Sequence, residues 1–177
     1  MDPKDKNVLY AGVGVSGIQP DSNGCYGDNL GGVYQSQDAG LSWTKISKEL
    51  GNVRTLAISS KDLNYLYVGT RSLIDCSKLT PPDAKTYEGG LWYFNFNDPN
   101  FFRVNENEIT PKAMDPYVSQ IVVDPKENRH LWVATSNLPY NDSSTGNGVY
   151  EVNLASDLVT WTWKPLNTGL NMLSVWN

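Results

Sequence analysis

Histidine is almost missing from this sequence of 177 residues, which has one, His130, and two cysteines, Cys25 and Cys76. A Ser-His-Asp or Cys-His catalytic group would have to be built on His130, whose setting in an apolar strand favours packing. No Cys/His cluster has zinc-ligand spacing, so no metal site is expected from these residue types. A glycine-rich phosphate loop leading into a helix and a serine-elbow motif are also missing. The charge balance is −5, and no Lys/Arg cluster forms, which excludes a nucleic-acid groove. No apolar run approaches the roughly 18 to 20 residues needed to span a bilayer. Met1-Asp2-Pro3-Lys4-Asp5-Lys6 leads into no apolar h-region and does not read as a signal peptide. On that reading the chain is either cytosolic or a mature segment of something longer.

Aromatic and turn residues are abundant, with 6 Trp and 10 Tyr against 15 Gly and 10 Pro. This mix suits short strands punctuated by turns. Internal repeats then decide the architecture. Asp2 to Gly12, Ser59 to Gly69 and Asp124 to Ala134 align as a polar turn followed by an alternating apolar strand. Apolar strands Val53 to Ile58 and Val118 to Val123 precede the second and third copies. After a variable loop, each copy is followed by a strand that opens on glycine, at Gly31-Gly32, Gly89-Gly90 and Gly148. A fourth strand follows around Ser42 to Ile46, Phe101 to Val104 and Thr160 to Lys164. Four strands recurring about every 57 to 65 residues make the blade of an all-β propeller. Three antiparallel blades are expected, near residues 1–52, 53–117 and 118–172, with 173–177 starting a further inner strand. Three blades fall short of the usual four to eight, so another copy or another chain is expected to complete the ring.

The most specific stretch is Gly31 to Trp43, read as a strand, a tight turn and the start of a second strand. Gly40 supplies the positive φ that other residues resist, Asp38 accepts hydrogen bonds from turn amides, and Trp43 lays its indole under the turn. The series Ser36, Asp38, Gly40, Ser42 and Trp43 resembles the Asp-box (BNR) repeat, a structural hairpin at the rim of a propeller blade. That family includes sialidases, the sortilin/Vps10 group, xyloglucanase-type glycosidases and a photosystem-stability factor. The second blade has Phe94-Asn95-Phe96-Asn97-Asp98 at this place and the third has Val152 to Asp157, so the box is not required by every blade. Sialidases read a substrate carboxylate with clustered arginines. Here Arg54, Arg71, Arg103 and Arg129 occupy scattered repeat positions, which argues against that branch.

Connections between the second and third strands, Val13 to Leu30, Arg71 to Glu88 and Ser136 to Asn147, are long and share one end of the blades. Opposite turns are short. Long loops that a compact fold does not need are where binding usually resides. These loops carry Asp21, Asp28, Asp75, Asp83, Glu88 and Asp142 beside Tyr26, Tyr87 and Tyr140. Tyrosine faces stack on sugar rings, and carboxylate pairs serve glycoside hydrolysis. No enzyme motif lands on one of these aspartates, so the catalytic residue is unknown. Cys25 and Cys76 lie in adjacent loops of this end, and an even count at equivalent places suggests a disulfide stapling those loops, which would imply an oxidising, extracellular setting; the alternative is two free, partly buried thiols. Asn141-Asp142-Ser143 is also a glycosylation acceptor. Asp21-Ser22-Asn23-Gly24 and Asn141-Asp142-Ser143 are oxygen-rich, as calcium prefers, yet neither has the spacing of a known loop, and both read as turns. The leading expectation is a non-catalytic extracellular binding or assembly module with a protein or glycan ligand. The alternative is part of a xyloglucanase-like glycoside hydrolase, and a third reading is an intracellular assembly factor.

Overall fold

The computed structural model describes residues 1–14, 31–47, 50, 52–59, 65–71, 73–75, 85–87, 89–104, 117–136, 148–155 and 160–170. Among the described residues there is no helix, and the strands form antiparallel sheets that follow one another along the chain. The first sheet joins β1 (Leu9–Val13), β2 (Gly32–Ser36) and β3 (Thr44–Lys45). The second joins β4 (Asn52–Ile58), β5 (Tyr65–Arg71), β8 (Gly90–Asn95) and β9 (Asp98–Arg103). The third joins β10 (Tyr117–Val123), β11 (His130–Ser136), β12 (Gly148–Leu154) and β13 (Trp161–Pro165). Each sheet is a meander, and successive sheets pack face to face. The fold is all-β and of β-propeller type, with three successive blades among the described residues.

Local chemistry explains why the third strands of the second and third blades open on glycine. Gly90 and Gly148 have φ of 138° and 81°, which side-chain-bearing residues adopt only with strain. Glycine solves a different problem on the second strands, where blades approach closely. A Cβ on Gly69 would lie 2.6 Å from Val118 Cγ1 of the next blade, and one on Gly12 would lie 2.5 Å from Val53 Cγ1. Removing that Cβ lets the backbone of one blade rest on the first strand of the next.

Two apolar cores result, one in each gap between blades. Val33 of the first blade meets Val53, Leu66, Val68 and Phe94 of the second, with Tyr10 against Phe96 at 5.5 Å. Tyr65, Tyr67 and Leu91 of the second meet Val118, Ile121, Leu131, Val133 and Trp161 of the third. Trp161 crosses this gap edge-on to Tyr67 at 6.3 Å, and the Tyr67 hydroxyl donates to the Asn128 carbonyl at 2.7 Å. Packing here couples a buried ring to a hydrogen bond between blades.

Two features depart from the strand pattern expected of the sequence. The first strands of the second and third blades carry a register shift at the same repeat position, between Val53 and Thr55 and between Val118 and Gln120. Such a bulge adds a residue on one strand and increases local twist. The stretch Arg71 to Glu88, expected as loop, contains the short strands β6 (Leu73–Asp75) and β7 (Lys85–Tyr87). Their pairing keeps the register of the β5–β8 ladder: Thr70 faces Gly90, and further on Leu73 faces Tyr87. The middle of the second blade thus runs on as a longer hairpin.

Candidate functional site

Strand order gives the blades two unlike ends. At one end lie the turns β2–β3, β8–β9, β10–β11 and β12–β13; at the other lie the long connections out of β1, β5 and β11. The mouth of those connections is braced by a residue type repeated at equivalent positions. Thr70 Oγ1 donates to the Gly90 carbonyl at 3.3 Å, and Thr135 Oγ1 donates to the Gly148 carbonyl at 3.1 Å. Both threonines are fully buried, and Trp92 Nε1 donates to Thr70 Oγ1 at 3.0 Å. The signal was present in the sequence, because each threonine directly follows the aligned segment that ends at Gly69 or Ala134.

Of the candidate ligand-face residues, Asp75 and Tyr87 lie on the strands of the extended hairpin, where Asp75 is opposite Lys85 and Tyr87 opposite Leu73. Tyr26, Asp28, Glu88, Tyr140 and Asp142 lie outside the described residues, as do Asp21, Asp83, Asn141, Cys25 and Cys76. Among the described residues no group of three or more His, Cys, Asp or Glu side chains is arranged to hold a metal ion. None of the helices needed for a helical membrane crossing occurs there either.

The opposite end has the best-defined polar geometry. Asp38 accepts from the Ser42 amide at 2.8 Å, from the Ser42 hydroxyl, and from the Ser36 hydroxyl at 2.8 Å. Hydrogen bonds from the Ser42 side chain and amide hold the Asp38 carboxyl down at about 2, since each favours the charged form. Ser36 Oγ in turn accepts from the Gly40 amide at 2.8 Å, and Trp43 Nε1 donates to the Gly40 carbonyl at 3.1 Å. Gly40 has φ of 95°, and Ala39 beside it has φ of 58°. Trp43 nevertheless stays 43% exposed, so its indole flanks the turn without being enclosed by it. The side chains of Ser36, Asp38, Ser42 and Trp43 thus bond within the turn, while the Ala39 amide donates outside it, to the Asn7 carbonyl at 2.9 Å.

His130, at the same end of the third blade, sits between two carboxylates. Its Nδ1 lies 2.9 Å from Asp124 Oδ2 and its Nε2 3.1 Å from Glu151 Oε1, and Lys164 Nζ donates to Glu151 Oε2 at 3.0 Å. The Lys126 amide and then His130 pull the Asp124 carboxyl below its ordinary value, and Lys164 does the same for Glu151. With both ring nitrogens engaged within its own blade, His130 ties the β10–β11 turn to β12. That is a positioning arrangement: the ring is held by two carboxylates, and no serine or cysteine is hydrogen-bonded to it.

No protein-family model and no curated protein matches the chain. Solved structures do. A GH74 enzyme from Niastella koreensis superposes over 95% of this chain and 21% of its own, at 15% identity with a TM-score of 0.53. A GH74 xyloglucanase from Xanthomonas campestris superposes over 78% of this chain and 19% of its own, at 16% identity with a TM-score of 0.46. The chain therefore spans about a fifth of the length of these enzymes. At such identity the first likeness establishes the fold: the class is the β-propeller, shared with a GH74 enzyme.

Proposed function

We propose that this chain is a glycan-contacting part of a larger propeller of glycoside-hydrolase type, working at the end from which the long connections spring. The observation that carries this reading is the fold shared with a GH74 enzyme over 95% of the chain, which favours a glycan over a protein as the ligand. The extended β6–β7 hairpin supports the choice of end, because it brings Asp75 and Tyr87 beyond the blade body on that side. In this reading Tyr26, Tyr87 and Tyr140 stack on sugar rings, while Asp28, Asp75, Glu88 and Asp142 bond the hydroxyls. Ser36 to Trp43 is an Asp box with a structural role alone, in keeping with its closed hydrogen bonding and its place at the far end.

Hydrolysis is the second reading, favoured by the enzyme nature of the GH74 neighbour. It needs two carboxyls about 5 to 9.5 Å apart across a bound sugar, and those would come from the same loops. Cys25 pairing with Cys76 would staple two of the loops and place the protein outside the cell. A thiol titration under denaturing conditions separates the bridged form, with no reactive thiol, from the reduced form with two.

Affinity electrophoresis in gels containing xyloglucan tests the binding reading. Retardation of the wild type, weakened in Tyr87→Ala and Asp75→Asn and kept in Trp43→Ala, is the expected pattern. Equal mobility with and without xyloglucan would overturn it. Release of reducing ends by the wild type, lost in one loop-aspartate variant, would replace binding with hydrolysis.

A further inference from the structure

At the end where the long connections spring, the second blade ties its outermost strand to the start of its third. Arg103 ends β9 directly opposite Trp92 of β8, so both side chains stand on one face of the sheet. Val68 of β5 is opposite Trp92, and Thr70 lies two residues further along that same face. There the half-buried Arg103 guanidinium lies over the Trp92 ring, 6.0 Å from its centroid. Its Nη2 donates to the Gly89 carbonyl at 3.0 Å. On the next residue, the Gly90 carbonyl accepts from Thr70 Oγ1, which itself takes the Trp92 indole N–H. Consecutive carbonyls of a Gly-Gly pair are thus held by side chains from other strands of the blade.

Gly89-Gly90 stands between the blade body and the hairpin that continues it. Tyr87 ends β7, Gly90 begins β8, and both ladders share one register. Neither glycine has a side chain to fix it, and Gly90 takes a φ of 138°. Left to the wide backbone freedom of glycine, this pair would let the hairpin swing. Both glycines are nevertheless buried. A buried carbonyl without a donor is costly, so the folded blade has reason to keep the Arg103 bond. The equivalent position on the other outer strands, opposite Tyr34 and Tyr150, holds Lys45 and Pro165. Proline has no side-chain donor, and in the third blade Asn167 instead accepts from the Val149 amide at 2.9 Å. The arginine clasp belongs to the blade whose ladder, among the described residues, runs on past the mouth.

We infer that Arg103, backed by Trp92, is a positioning residue that fixes the Gly89-Gly90 hinge and thereby the stance of the β6–β7 hairpin. Its consequence for binding rests on the glycan reading above, because Asp75 and Tyr87 lie on that hairpin. Their placement at the ligand end then depends on a side chain that need not touch the saccharide. Arg103 suits the task, since its planar fork carries several N–H donors on a long stem and stacks on aromatic faces. A lysine there would supply a donor without the planar group.

Amide hydrogen exchange on the isotope-labelled intact chain tests the assignment without any saccharide. Arg103→Met keeps a long stem over Trp92 and removes the donors. It is expected to speed exchange of the Leu73–Asp75 and Lys85–Tyr87 amides about tenfold or more, as loss of a charge-assisted bond would. Amides of Leu66, Val68, Leu131 and Val133 should keep their wild-type rates, and Arg103→Lys should recover part of the hairpin's protection. Unchanged hairpin exchange in Arg103→Met overturns the assignment. So does an equal rise at Leu66 and Val68, which would mark a general loss of stability. Titration with xyloglucan oligosaccharides then reads the consequence, with affinity expected to fall in Arg103→Met and to return in part in Arg103→Lys. A loosened hairpin with undiminished affinity would overturn the role in binding. A wild type that binds no saccharide overturns the glycan reading alone, since the exchange pattern decides the Arg103 assignment independently.

Discussion

The second and third blades have the same strand order and opposite surroundings. Every described position from Tyr65 to Thr70 on β5 is buried, because blades cover both sides of that sheet. On β11 the matching positions alternate between buried and half-buried, because among the described residues a neighbouring blade covers the third on one side. The chemistry follows the covering. Where the second blade sets Tyr65 and Tyr93 into an aromatic cluster with Tyr67 and Trp161, the third has His130 and Glu151 in an ionic one. A strand's sequence in this fold therefore records its neighbours as much as its own conformation.

The largest expected difference between the two blades is at their equivalent aromatic positions. Tyr67→Ala removes a fully buried ring and its bond to Asn128, and should cost about 3 to 5 kcal/mol in denaturant unfolding. Trp132→Ala should cost about 1 kcal/mol at low protein concentration. Equal costs for both substitutions at low concentration would break the comparison.

Next come the close-approach positions. Gly69→Ala drives a methyl into Val118 and should cost about 1 to 3 kcal/mol. The reverse change on the third blade, Ala134→Gly, should cost only about 0.5 to 1 kcal/mol, the penalty of glycine within a strand. A tolerated Gly69→Ala would mean that the blades separate easily.

A smaller effect is expected at the Asp38 turn. The folded-state carboxyl is held at about 2, below its unfolded value, so its stabilisation is complete above the ordinary carboxylate range. That stabilisation is lost as the pH falls through about 2. Asp38→Asn should lower the melting temperature at neutral pH, and the gap to wild type should narrow on acidification. A gap that does not change with pH would remove the charged carboxylate from the account.

The smallest effect belongs to the pair Lys164 and Glu151. Glu151 is held below its ordinary value chiefly by Lys164, so the pair contributes above the carboxylate range and fades as the pH falls. Glu151→Gln should alter stability slightly at low salt and not measurably at high salt, where exposed charges are screened.

The blade architecture was legible because it rests on features local in sequence. A polar turn, an alternating strand and a glycine-opened strand recur at fixed spacing, and Gly90 and Gly148 need glycine for reasons their own backbone sets. What escaped depends on register across strands. The bulges at Arg54 and Ser119 have no composition signal, since either residue fits a regular strand. Leu73 to Tyr87 reads as loop because Pro81-Pro82 and polar residues fill its centre, yet the ladder of β5 and β8 carries pairing into its two ends. His130 was placed in a strand, but its bracketing by Asp124 and Glu151 requires knowing that β11 faces β12. The long-loop candidates other than Asp75 and Tyr87 fall outside the described residues.

The most direct measurement is an amide chemical-shift titration of the isotope-labelled protein with xyloglucan oligosaccharides. A saccharide held at the long-connection end should shift amides of the β6–β7 hairpin and of Gly90 and Gly148, while those of Ser36 to Trp43 and Asp124 to His130 stay still. Shifts confined to that opposite end, or none at all at saturating saccharide, would contradict the account.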